Sequence, residues 1–197
     1  MQDEIRQITA ALARLHAGSS DFDLNPHVTV PPRTLRAAAV LVPIVVQPAG
    51  AQVVLTKRAS HLAHHPGQIA FPGGKVEQQD AGPQAAALRE AREEIGLDPA
   101  LVQILGAMPA HETVTAFRMV PIVGLLQEIP AFTPDRAEVA EVFTVPFAHI
   151  RDLANFRVES RRWQGQQRYF YTVPYGPYYI WGATARVLYA LAKGITE

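Results

Sequence analysis

The stretch Phe71–Leu97, FPGGKVEQQDAGPQAAALREAREEIGL, constrains this chain more than any other, because it sets a glycine turn just ahead of an acid-rich helix. Gly73-Gly74 allows backbone and ligand to approach closely. Pro83 suits the first helical turn, where its missing N–H is not needed. Gly96 is a natural stop after Ile95. Between them Leu88, Ala91 and Ile95 fall on one face, and Glu90, Glu93 and Glu94 on the opposite one. At that spacing their Cβ atoms lie about 5–6 Å apart. Glu-rich helix faces are most often plain solvated surface. Three carboxylates so close raise one another's pKa unless a cation sits among them, and hard oxygen ligands suit Mg²⁺ or Mn²⁺.

The rest of the chain reads as a scaffold for that stretch. Its 197 residues suffice for one domain with a proper core. Eighteen basic residues balance eighteen acidic ones, so no net charge draws it to nucleic acid or an anionic membrane. With no cysteine, disulfides and zinc–thiolate sites are excluded. The N-terminus lacks an apolar signal core, and the most apolar runs, 37–46 and 119–126, are too short to span a bilayer. A soluble, cytoplasmic protein is expected.

Ile5, Ile8, Leu12 and Leu15 mark an amphipathic helix over roughly the first fifteen residues, packed on the flank. Residues 18–36 read as a connecting loop, with Pro31-Pro32 holding an extended segment. Strands are expected over 37–46, apolar enough for a central position, and over 52–57, joined through Pro48-Ala-Gly50. Further strands are expected at 102–108 and 118–126, with His111 and Glu112 in the loop between them. Another strand or short helix begins near Glu138 and Glu141. A hairpin spans 156–163 and 168–173 around residues 164–167. A helix runs from Tyr178 to Lys193, with Ile180, Thr184, Val187, Leu188 and Leu191 inward and an aromatic start that packs in the core or stacks on adenine. His61, His64 and His65 sit in a Pro/Gly loop, where they could supply hydrogen bonds or partial charge, with at least one of them a plain exposed histidine.

The box resembles that of the Nudix hydrolases, which runs Gly, five residues, Glu, seven residues, then Arg-Glu-apolar-x-Glu-Glu-x-Gly-apolar. Arg89, Glu90, Ala91, Glu93, Glu94, Gly96 and Leu97 match its second half. Asp80 stands where the box has its first Glu, and eight residues separate it from Arg89. That lengthening resembles the coenzyme A pyrophosphatase branch. So does the preceding segment VLTKRASHLAHHPGQIAFPGGK, in which Leu55, Thr56, Arg58, Ala59, Gly67, Phe71, Pro72, Gly73 and Gly74 match that branch's extra motif in register. Ala63 departs from it, standing where the motif has a second Arg expected to face substrate phosphate.

The resemblance implies a mixed α+β Nudix fold over 1–197, an α/β/α sandwich around a mixed sheet with the box as a loop–helix–loop and 1–36 as an extension. It implies metal-dependent hydrolysis of coenzyme A or acyl-CoA to 3′,5′-ADP and 4′-phosphopantetheine, a small-molecule reaction. The alternatives are another nucleoside diphosphate substrate, such as ADP-ribose or a dinucleoside polyphosphate, and a non-catalytic binding module. Glu90, Glu93, Glu94 and the Gly73 carbonyl are the implied metal ligands, Glu90 serving either as ligand or as base. Arg89 would fix a neighbouring carboxylate; Arg58, Gly67, Phe71 and Gly74 would meet substrate. Glu138, Glu141 and Glu112 are further acids, any of which could join the site.

Overall fold

The computed structural model describes residues 2–30, 32–163 and 165–196. Pro31 of the expected extended pair and Gln164 of the expected hairpin turn lie outside them. In chain order the elements are α1 (Gln2–Arg14), β1 (Ser19–Ser20), β2 (Arg36–Val45), β3 (Gln52–Arg58), β4 (Ile69–Ala70), β5 (Gly73–Lys75) and α2 (Pro83–Ile95). There follow β6 (Gln103–Ala107), β7 (His111–Glu112), β8 (Phe117–Leu126), β9 (Val139–Pro146), α3 (Phe147–Arg151), β10 (Arg157–Trp163), β11 (Gln166–Thr172) and α4 (Gly182–Thr196).

β2 is the spine of the main sheet. It runs parallel to β8 along its whole length, Arg36 opposite Phe117 through Val45 opposite Leu126. On its other side it pairs with β3 only beside the hairpin turn, at Ile44–Val53 and Val45–Gln52, before the two strands part. β4 pairs with β3 and β5 with β2 inside the opening, while β9 closes the outer side of β3. The mixture of parallel and antiparallel pairs makes this the expected mixed sheet.

The prolines inside β2 and β8 sit where a donor is dispensable. The Leu41 N–H bonds to the Pro72 carbonyl on the opening side of β2, and Pro43, two residues on, faces the same side at the point of parting. Pro121 in β8 lies between the stretches paired with β6 and β7.

Alternation along β2 divides the core. Ala38, Val40, Val42 and Ile44 pack with α1, α3 and α4 on one face; Ala39, Leu41 and Val45 pack with Ala87, Ala91 and Ile95 of α2 on the other. The sheet is thus covered on both faces, as the near-continuous apolar run of β2 requires. α2 ends on Gly96 in the left-handed conformation at φ 68°.

Three expectations change. His111 and Glu112 form β7, paired with both β8 and β1, rather than a loop tip. α4 begins at Gly182, not Tyr178, because Val173 N–H bonds to the Ile180 carbonyl and Thr172 bridges Trp181, which keeps 178–181 extended. The hairpin turn is tighter than 164–167, since Trp163 already pairs with Gln166.

Candidate active site

The opening between β2 and β3 delivers the glycine turn to α2. Gly73 has φ +157°, and a Cβ there would collide with the Ala39 carbonyl; one on Gly74 would collide with the Glu90 carboxylate. Two glycines are therefore what lets the strand lie against the helix acids. The Gly73 N–H donates to Glu94 Oε2 at 3.1 Å.

This contact revises the expected acid face. Glu94 is only 6% exposed, Glu90 is half-buried, and Glu93 alone stands in solvent. Burial pushes the Glu94 carboxyl up to about 7; the Gly73 N–H and Arg58 draw it down, while Glu90 and Glu138 push it further up. Burial likewise raises Glu90, with Arg89 opposing and Glu93 and Glu138 reinforcing. Glu138, carried just before β9, is thus the outlying acid whose charge is felt at both.

Arg89 spans the site's outer wall. Its Nε and Nη2 fork onto Asp80 Oδ1 and Oδ2 at 3.0 Å each, and Nη2 also donates to the Lys75 carbonyl at 3.1 Å. Its Nη1 reaches Glu93 Oε2 at 2.9 Å and Glu90 Oε1 at 3.1 Å. The Arg89 hydrogen bonds hold Asp80 below the ordinary carboxylate range. Asp80, the residue that departs from the box, thereby clamps the loop to the helix.

Arg58 ends β3 half-buried, its Nε withdrawn from solvent without a hydrogen-bond partner among the described residues and its charge felt at Glu94. The Gly67 N–H bonds to the Arg58 carbonyl at 3.2 Å, in a turn with φ +69° that folds β4 back onto β3. Phe71 is 4% exposed in the core, so its ring packs the sheet instead of meeting substrate. Gly74 makes room for Glu90 rather than for a ligand.

The other candidate acids fall elsewhere. Glu141 accepts from Tyr178 Oη at 2.5 Å, and Tyr178 stacks on Phe143 at 3.6 Å, so that aromatic ring is core-packed. Glu112 pairs with Arg33 at 2.7 Å beyond β8. His61, His64 and His65 are exposed, and His61 Nε2 donates to the Ala137 carbonyl at 3.0 Å.

Among the described residues no three His, Asp or Glu side chains already close on one point at metal-ligand spacing. Arg89 and the Gly73 N–H hold the acids instead. The donor set nonetheless fits a hard divalent cation. Two carboxylates are withdrawn from water and face a third, an arrangement whose repulsion a bound cation relieves. Sequence reasoning missed the burial of Glu94 and could not choose Glu138 over Glu141.

Comparison with known proteins agrees with this geometry. Residues 35–164 match the model of the NUDIX domain. The chain is 39% identical over 174 residues to a protein of Enterobacter sp. (strain 638) named uncharacterized Nudix hydrolase NudL, covering 87% of this chain and 89% of that one. A namesake from Salmonella heidelberg (strain SL476) is 40% identical over 175 residues, with the same coverage. Among solved structures, the fold resembles a Nudix hydrolase from Alicyclobacillus acidocaldarius with TM-score 0.51 at 19% identity, covering 82% of this chain and 93% of that one. It also resembles the Nudix hydrolase RenU of M. smegmatis, with TM-score 0.51 at 23% identity and coverage of 61% and 76%.

Proposed function

Since the chain belongs to the Nudix hydrolase family, we propose that it cleaves the pyrophosphate bond of coenzyme A and acyl-CoA, releasing 3′,5′-ADP and a 4′-phosphopantetheine. The observation that carries this reading is the Val54–Lys75 segment. It supplies both β3, ending in Arg58, and the glycine strand that lies on Glu90 and Glu94. One segment, with the residue pattern of the coenzyme A branch, thus links a phosphate-seeking cation to the acids. Ala63 favours a second reading, ADP-ribose or a dinucleoside polyphosphate, because it puts an exposed methyl where the pattern has a guanidinium.

Mg²⁺ or Mn²⁺ held by Glu93, Glu94 and the Gly73 carbonyl, with Glu90 beside them, would neutralise the pyrophosphate and lower the pKa of the attacking water. Arg58 holds a phosphate oxygen of the substrate. Arg89 occupies Glu90 Oε1 and leaves Oε2 to take the water's proton, and burial makes that carboxylate a stronger base. The water oxygen bonds to one phosphorus as the bridging P–O bond breaks, each half leaving as a phosphate monoester. Glu138, exposed at the rim, adds to the negative field that holds the cation.

We further read residues 1–197 as one domain with 1–36 as its extension, working in the cytoplasm. No helix among the described residues is long and apolar enough to cross a membrane. The test is product analysis with coenzyme A, ADP-ribose and diadenosine tetraphosphate, with and without Mg²⁺ or Mn²⁺. Metal-dependent release of 3′,5′-ADP from coenzyme A, at the highest kcat/KM of the three, is expected. Faster cleavage of either other substrate would replace the coenzyme A reading with the second one.

A further inference from the structure

The β10–β11 hairpin is a two-stranded sheet of its own, and its register sets Arg161 directly opposite Arg168. Opposed residues share a face with Cβ atoms about 4.5–5.5 Å apart, where like charges destabilise the pair. Neither guanidinium has an ion-pair partner among the described residues. The acid on that face, Glu159, is bound by Tyr179 Oη at 2.6 Å and Thr172 Oγ1 at 3.2 Å. Arg168 Nε is withdrawn from solvent with no hydrogen-bond partner among the described residues.

Aromatic rings flank the same pair. Arg161 lies 4.5 Å from the Trp181 ring centroid, and Arg168 lies 5.4 Å from Trp163 and 5.2 Å from Phe22. The chain has only two tryptophans, and both stand here. Cation–π contact accounts for where the guanidiniums rest, but it neutralises neither charge.

We propose that this face binds a nucleotide carrying a phosphomonoester. The Arg161–Arg168 pair takes the dianionic phosphate, for which two planar forks are well suited. An exposed indole edge beside them offers a surface for the base. The hairpin is tied through the backbone toward the arm that bears Arg58. Trp181 bridges Thr172 at the hairpin's base, a Cβ on Gly182 would stand 3.9 Å from Gln68 Nε2, and the Gln68 carbonyl accepts the Arg58 N–H at 3.0 Å. Coenzyme A carries a 3′-phosphomonoester and ADP-ribose carries none. A role in choosing between them rests on the coenzyme A reading, whereas binding itself does not.

The experiment is a titration of the metal-free protein in EDTA with 3′,5′-ADP, followed by tryptophan fluorescence. A saturable change is expected, with affinity about tenfold weaker for ADP-ribose and about tenfold weaker in both Arg161→Gln and Arg168→Gln. Arg161→Lys and Arg168→Lys keep the charge and should lie between, and circular dichroism confirms that each variant is folded. No saturable change, equal affinity for ADP-ribose, or unaltered affinity in the folded Gln variants would overturn the site. A saturable, arginine-dependent change in a protein that fails to cleave coenzyme A would support the site and overturn the coenzyme A reading alone.

Discussion

Two polar networks flank β2, and they differ in whether the buried groups at their centres, His111 in one and Glu94 in the other, are matched on every side. Beyond β8, His111 is fully buried, with Nδ1 2.9 Å from Ser19 Oγ and Nε2 3.1 Å from Asp21 Oδ1. Asp21 Oδ2 takes the Val114 N–H at 2.8 Å, and Arg33 ties Glu112 to the Val114 and Thr113 carbonyls. His111 and both Asp21 oxygens are partnered, while Arg33 Nε has no hydrogen-bond partner among the described residues, and the result pins β1 to β7. In the opening between β2 and β3, Glu90 and Glu94 are withdrawn from water, face Glu138, and have donors for only part of their oxygens. A closed network marks scaffold; one left short of positive charge marks chemistry.

The comparison breaks most sharply under charge removal. Glu93→Gln or Glu94→Gln should lower turnover on the order of a thousandfold while the protein stays folded, because one anionic ligand is lost. Steady-state kinetics at saturating Mg²⁺ measures this, and near-wild-type turnover in both variants would remove the acids from the chemistry.

Next in size is the pH dependence of the metal-free protein. The folded pKa of Glu94 is raised from 4.5 to about 7, so its contribution is complete below the unfolded value and lost as pH rises through the folded one. Stability should fall by on the order of 3 kcal/mol from about pH 5 to about pH 8, with Glu90 adding in the same direction. Urea melts in EDTA report it; the slope should flatten in Glu94→Gln, and an equal slope there would assign the effect to other groups.

The closed network predicts the reverse pattern. His111→Ala should cost about 1–3 kcal/mol of stability, by taking the ring partner from Ser19 Oγ and Asp21 Oδ1, yet leave kcat of the folded enzyme within a factor of about two. A drop in kcat comparable to that of Glu94→Gln would erase the distinction. The smallest effect is expected at Ala63→Arg, which should lower KM for coenzyme A several-fold (about 1 kcal/mol) and that for ADP-ribose less, most visibly at low salt. An unchanged ratio would show that this loop does not meet the substrate's phosphates.

Much of this arrangement was legible in the residue order. The near-continuous apolar run of β2 announced a central strand, and Pro83 and Gly96 marked the ends of α2. The box and the segment before it located the acids and Arg58. What stayed hidden depends on contacts distant in sequence. A helix-face rule cannot bury Glu94, because the donor that allows it is Gly73, twenty-one residues earlier. Glu138 and Glu141 are three residues apart, and only the pairing of β9 with β3 and the position of Tyr178 separate their roles. The late start of α4 follows from bonds between Val173 and Ile180, which no local propensity encodes. The opposition of Arg161 and Arg168 likewise needed the hairpin register.

The most direct test of the contrast is the shift in thermal midpoint on adding Mg²⁺ or Mn²⁺ at about pH 8, compared among wild type, Glu94→Gln and Asp21→Asn. A cation that fills the acid pocket binds only the folded state and so raises its midpoint. The shift should be present in wild type, equally large in Asp21→Asn despite that variant's lower starting midpoint, and largely lost in Glu94→Gln. A full shift in Glu94→Gln, or its loss in Asp21→Asn, would contradict the division between a cation-binding acid network and a structural one.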